Sequence, residues 1–423
     1  MTRLDGAPEP LPARGRRARG RAVVSACGDR AWRVDGRKIN RSAGHASRVC
    51  IARNQTRDSC ADDLRCLARA PRTLTSARPR EPDGSRILEL STSTLPLLTA
   101  SLTAPLIGAP TSDSLASVDL QRRIISLRGE FLLFALTPPR LSTTPEKAQE
   151  IADSTFKRLE SLDVDGLILY DIDDEGDRNP EERPFPFLPT MDPADYLERH
   201  LKTWRTPVVV YRATAKYSEQ DLRDWMGSQD AAKRMAVFVG ASSREKRVAT
   251  TLHRAQQLHT EVNPDLLLGA VAIPERHTRK GDEHLRLTAK QEAGCSYFVT
   301  QVVYDVNAAK NLVSDYVYEC RDRGLDPIPT VFTFSVCGSM KTLEFLRWLG
   351  VDVPRWIEND LRHAEDTLDA SLEHAEATAL EVMSFCRRLG VPFGITVESV
   401  SIRSVEIEAS VRLAERLRSK LAR

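Results

Sequence analysis

The sequence has no Cys-x-x-Cys pair, which removes the commonest zinc-binding spacing and the dithiol redox motif. Its eight cysteines form two groups of four: Cys27, Cys50, Cys60 and Cys66 near the start, and Cys295, Cys320, Cys337 and Cys386 later, mostly beside apolar residues. They read as free thiols of a reducing compartment. Long apolar runs are also missing. The segment Leu95 to Pro110 comes nearest, but Pro, Ser and Thr interrupt it, and it lies too far from the start for an ordinary signal peptide. No membrane partner is therefore expected. Aromatic residues are only 6% of the chain, and Trp32 is the only one before Ser91. That scarcity argues against a stacking platform for nucleic acid.

Net charge is close to balance, at +2, but unevenly spread. Residues 1–120 hold twenty Arg and Lys against twelve Asp and Glu, and nineteen of the twenty are arginine. The remainder is mildly acidic, with no general attraction to a polyanion. The first 120 residues show no sustained period of two or 3.6 and are rich in Arg, Gly, Ala, Ser and Pro. They are expected to be disordered, as an organellar targeting leader or as upstream sequence outside the functional unit. The protein is expected in the cytoplasm, with import into an organelle if the leader is genuine.

From Phe131 the pattern is regular. Apolar strand candidates end near Leu136, Asp171, Tyr211, Val239, Ile273, Val303, Phe334 and Val397, with helix-like segments between them. Ser142-Thr143-Thr144-Pro145-Glu146, Asp192-Pro193 and Ser218-Glu219-Gln220-Asp221 are helix starts. A further helix is expected from Ser243 to about His259. Eight strand–helix units at about thirty residues each predict a (β/α)₈ barrel over residues 121–423. The runs are continuously apolar, as in a parallel sheet covered on both faces. Pro138-Pro139-Arg140 stands where a doubly wound fold would carry its glycine-rich turn.

In a barrel the chemistry gathers where strands end. Those ends present Tyr170 and Asp171, Arg212 and Thr214, Gly240 and Ser242, Glu275 and His277, Thr300 and Gln301, Phe334, Glu398 and Arg403. The run Asp171-Ile172-Asp173-Asp174-Glu175 could suggest a hard cation, but loop solvation or an Arg partner explains it as well, and no metal is expected. Gln301 is the most specific signal. A planar amide with a donor and an acceptor, set in the apolar run Gly294 to Asp305, suits a heterocycle edge or a satisfied core position. His277 could serve acid–base chemistry or grip a phosphate, and Lys290 would by default be solvated.

Together these motifs resemble the methylenetetrahydrofolate reductase family from about Gly129 onward. They are Ala293-Gly294-Cys295, Val299-Thr300-Gln301, Tyr304-Asp305, Ile273-Pro274-Glu275-Arg276-His277 and Val353-Pro354-Arg355-Trp356. The resemblance implies a barrel that reduces 5,10-methylenetetrahydrofolate to 5-methyltetrahydrofolate with FAD and NADH or NADPH. It further implies that Gln301 reads the pterin and that Thr300, Phe334 and Arg403 contact substrate. Lys290, Glu283 and His277 would hold the flavin, with Arg212, Thr214, Tyr170, Gly240 and Ser242 around the cofactor. A homo-oligomer is allowed.

Two departures stand out. Ala135 occupies the place of the family's proton-donating glutamate, and Val239-Gly240-Ala241-Ser242 replaces its Arg-Gly-Asp. Asp171, Glu398 and Glu275 are the candidate replacement acids. Hydride delivery directly from a nicotinamide is one consequence. A folate- or flavin-binding barrel with methyl or methylene transfer, or a non-catalytic homologue, remains the alternative.

Overall fold

The computed structural model describes residues 120–174, 176, 179–241 and 246–422. The expected disorder of residues 1–119 and the placement of Ser242 lie outside the described residues, whereas Leu120, expected with the disordered stretch, is helical and buried. Eight parallel strands close in sequence order into one barrel. They are β1 Glu130–Leu136, β2 Gly166–Leu169, β3 Val208–Ala213, β4 Arg234–Val239, β5 Leu267–Ala272, β6 Tyr297–Val302, β7 Thr330–Ser335 and β8 Phe393–Glu398. The expected (β/α)₈ architecture is the observed one.

Helices between the strands form the outer layer: α1 Pro145–Leu159, α2 Pro193–His200, α3 Glu219–Ser228, α4 Leu252–Val262, α5 Pro274–Lys280, α6 Glu283–Glu292 and α7 Val306–Arg323. They continue with α8 Met340–Trp348, α9 Arg355–His363, α10 Thr367–Leu389 and, after β8, α11 Ser404–Arg418. Side-chain oxygens of Thr144, Asp192, Ser218, Thr251, Asp305, Ser339 and Asp366 accept from N–H groups of the first turns. Two elements depart from expectation. Helix α4 begins only at Leu252, because Thr251 provides its cap, and the short helix α5 lies between β5 and α6 where no element was expected.

Alternation along the strands divides the core. Phe131, Leu133, Ala135, Ile168, Val209, Tyr211, Met235, Val237, Tyr297, Val299 and Val331 fill the lumen, while Leu132, Phe134, Val208, Val210, Phe332, Phe334 and Val397 face the helices. Large rings need small neighbours. A Cβ at Gly269 would lie 2.5 Å from the Tyr297 ring, and Gly394 makes the same room for Phe131. Leu120 and Ile124, from a helical segment before β1, join this interior cluster. Cys295, Cys320, Cys337 and Cys386 are buried free thiols, as their apolar settings suggested. Among the described residues, no helix is long and apolar enough to cross a membrane.

Candidate functional site

Glu398 is the last residue of β8, and the register puts it opposite Ala135 of β1 and Ser335 of β7. Phe393, Ile395 and Val397 face the helices, so alternation turns Glu398 into the mouth. It keeps a partly open surface although protein walls enclose it. That enclosure raises its carboxyl to about 7, against the opposing effect of a hydrogen bond from the Tyr170 hydroxyl. Tyr170 and Tyr211 meet edge to face at 4.9 Å, and burial with the nearby Glu398 pushes both phenols upward. An acid that holds its proton near neutrality therefore stands beside two tyrosines at the catalytic end of a barrel.

On the same rim, β6 carries an irregularity. Val299 pairs with Val331 but Val302 with Thr333, leaving Thr300 and Gln301 to span one partner step. Such a bulge re-aims side chains. Two hydrogen bonds hold it: the Thr333 amide donates to Thr300 Oγ1 at 3.0 Å, and Thr333 Oγ1 donates to the Thr300 carbonyl at 2.6 Å. Thr300 thus braces the bulge, with its own polar atoms engaged. Gln301 is half-buried, and its Nε2 donates to the Leu349 carbonyl at 2.7 Å. The same loop meets α5, where Arg279 donates to the Gly350 carbonyl.

The three candidate acids separate. The Asp171 carboxylate is engaged by Lys216 at 2.5 Å, the Ala213 amide at 2.8 Å and the Tyr217 hydroxyl at 2.9 Å, which makes it a brace for the end of β3. Glu275 is buried in the first turn of α5 near Asp352, and burial raises it to about 7. Its Oε2 has no hydrogen-bond partner. Only Glu398 combines a raised carboxyl with an opening to the mouth.

Several other expected site residues are turned elsewhere. Phe334 is fully buried on the outward-facing series of β7, so alternation directs its ring away from the lumen. Arg212 also points outward, pairs with Asp192 at 2.5 Å and lies over the Tyr217 and Trp225 rings. It lines a cavity of about 360 Å³ between α2 and α3. Thr214 Oγ1 donates to the Val239 carbonyl, and Gly240 follows the end of β4. Arg403 stays at the C-terminal face, where it pairs with Glu406 at 3.1 Å. In the acidic run, Asp173 is held by Lys246 at 2.6 Å, so lysines balance its first two members.

The residues expected to hold a flavin are partnered inside the helix layer. Glu283 is fully buried, accepts from Arg276 at 2.9 Å and from the Ile273 amide at 3.2 Å, and has Lys290 at 4.0 Å. Lys290 donates to the Val271 carbonyl at 2.5 Å, and burial lowers its ammonium. His277 bonds Asp315 at 3.0 Å. Glu283 and Lys290 are thus held to neighbours within the helix layer, while His277 keeps an unpartnered Nδ1. Sequence reasoning overlooked Tyr211 and Thr333. Their apolar strands carried no functional signal beyond a place near the strand ends.

Residues 240–400 match the family methylenetetrahydrofolate reductase. Among solved structures, an uncharacterized protein from Clostridium thermocellum that binds two copies of 5-methyl-5,6,7,8-tetrahydrofolic acid is 41% identical. The alignment covers 71% of this chain and 99% of that one, with a TM-score of 0.63. A 2,3-dimethylmalate lyase of the PEP mutase/isocitrate lyase superfamily is 13% identical over 72% of this chain and 98% of its own, with a TM-score of 0.33. That likeness is too low to bear on function. No curated protein matches the chain. The identity and coverage of the first structure place the chain in the family of that Clostridium thermocellum protein, distantly related to the methylenetetrahydrofolate reductases.

Proposed function

We propose that the barrel binds a reduced folate at its C-terminal mouth and reduces the methylene group of 5,10-methylenetetrahydrofolate to the methyl of 5-methyltetrahydrofolate. The observation that carries this reading is Glu398: a carboxyl raised to about 7, hydrogen-bonded by Tyr170, at the rim position that neighbours Ala135. In the reaction, the acid gives its proton to N10 of the five-membered ring. The methylene carbon–N10 bond breaks, leaving an N5 iminium, and a hydride from a nicotinamide dinucleotide adds to that carbon. Proton and hydride together balance the methyl product. Gln301, aimed by the bulge, would exchange its bond to the Leu349 carbonyl for the pterin edge. Tyr170 would hold Glu398 in place and keep its proton directed.

The relative's ligand supports the folate part of this reading, and the acid at the rim supports the reduction. The test is a mixture of purified protein, 5,10-methylenetetrahydrofolate and NADH or NADPH. Loss of nicotinamide absorbance with formation of 5-methyltetrahydrofolate is expected, and a visible spectrum of the same preparation reads any flavin directly. No loss with either nicotinamide would overturn the reductase reading. A second reading, folate binding with methyl transfer, rests on the engaged Gln301 amide and on a relative whose ligand is the methylated product. Folate binding without nicotinamide oxidation would favour it.

A further inference from the structure

We propose that His277, His284 and Asp315 form a divalent transition-metal site on the flank of the barrel, separate from the mouth. The three residues come from three successive helices, α5, α6 and α7. One ligand atom of each lies within 4.8 Å of the others. The two imidazoles meet edge to face with centroids 5.2 Å apart, and His277 Nε2 lies 3.0 Å from Asp315 Oδ2. Among the described residues, no other group of three or more His, Cys, Asp or Glu is gathered in this way.

The pairing leaves polar atoms without partners. His277 is only 6% exposed, and the Nδ1 atoms of both His277 and His284 are buried with no hydrogen-bond partner. Two orphaned ring nitrogens in contacting imidazoles are costly unless something satisfies them. A cation between the rings would take the unpartnered His284 Nδ1 and the His277 Nε2 that already faces Asp315, and the carboxylate supplies neutralising charge. Two imidazoles and one carboxylate suit zinc, cobalt or nickel rather than magnesium or calcium, which prefer all-oxygen sites.

The closing movement is small. Zinc–nitrogen and zinc–oxygen bonds near 2.0–2.1 Å imply ligand atoms about 3.4 Å apart in a tetrahedron. Asp315 has a side chain about half exposed, so a change of its rotamer can shorten the remaining gap. Three protein ligands leave a fourth position for water. The metal would clip α5 and α6, whose backbone follows β5, onto α7, which follows β6. It would thereby stiffen the wall behind Gln301 without touching substrate. This places His277 in a structural metal site rather than against a cofactor.

The experiment uses the full chain without an affinity tag, stripped with chelator and titrated calorimetrically with zinc and, in parallel, with magnesium. Cobalt is then added as a spectroscopic probe. One zinc per chain, a rise in melting temperature, and visible cobalt bands without thiolate charge transfer are expected. His284→Gln and Asp315→Asn should each weaken zinc affinity by more than the roughly 10- to 100-fold typical of losing an outer-shell partner, while retaining the wild-type circular dichroism. His277→Gln, more deeply buried, is read only alongside these two. Absence of stoichiometric zinc binding would overturn the site, as would affinity unchanged in both outer variants. Cobalt bands with thiolate character would also overturn it by assigning the metal to cysteines.

Discussion

Ala135 of β1 and Glu398 of β8 are register partners at the rim of the barrel. Neighbouring parallel strands bring such partners about 4.8 Å apart. In the proposed reaction an acid at Glu398 would address a bound folate from the strand next to Ala135. The enclosing walls that raise Glu398 to about 7 are those that suit it to hold a proton near neutral pH.

Glu398→Gln should lower turnover by about 100- to 10,000-fold, the usual range for loss of a general acid, with folate affinity nearly unchanged. In the proposed reaction the protonated form is the active one, so wild-type kcat/KM should fall as pH rises through about 7. The residual activity of the variant should lack that limb. A wild-type profile flat between pH 5 and 9, roughly two units either side of the raised value, would remove Glu398 from the role.

Moving the acid back across the strands gives a rescue. Ala135→Glu combined with Glu398→Gln should recover at least about tenfold of the activity lost by Glu398→Gln alone, since both positions address the same rim. Ala135→Glu by itself sets two carboxyls side by side and should displace the pH limb upward. Steady-state assays of the folded variants decide the matter; a double variant no better than Glu398→Gln would argue against equivalence.

Gln301→Leu should weaken binding of 5-methyltetrahydrofolate about 10- to 100-fold by calorimetry, the scale of one or two lost polar contacts. Thr333→Val removes the 2.6 Å bond to the Thr300 carbonyl and relaxes the bulge. It should cost about 1–2 kcal/mol of stability and weaken binding in the same direction, though less. Unaltered affinity in Gln301→Leu would take folate recognition away from this strand.

Glu275 offers a stability test independent of catalysis. Its folded value, about 7, lies above the ordinary 4.5, so the folded state binds the extra proton between those limits. The favourable contribution is complete below about 4.5 and disappears as pH rises through 7. Glu275→Gln should therefore stabilise the protein at pH 8, by at most ~3 kcal/mol, and make little difference at pH 4. Chemical denaturation at the two pH values reads this directly. Equal effects at both would mean that Glu275 does not titrate through this range.

Most of the architecture was legible because its causes are local. Side-chain oxygens before helices and apolar strands at even spacing located nearly every element. Helix α5 escaped notice because Pro274-Glu275-Arg276-His277 is short and polar, and it lacks a side-chain cap. The rim was legible only as a collection of strand ends. Glu398 and Gln301 belonged to it, whereas Phe334 and Arg212, chosen by the same reasoning, face the outer layer. Asp171 and Glu398 looked alike as strand-end acids. What separates them is Lys216 and Tyr217, which close over one carboxylate and leave the other to the mouth.

Sequence by itself determined the barrel, the mild acidity of its folded part and the presence of a glutamine at the end of the sixth strand. Those follow from periodicity, composition and the order of the chain. Tertiary structure alone decided that β6 bulges beneath Gln301, that Ala135 neighbours Glu398, and that two histidines and an aspartate meet on three helices. Each depends on strand register or helix packing between residues far apart in the chain. Spacing along the sequence cannot specify which lone pairs remain unpartnered once those elements are packed.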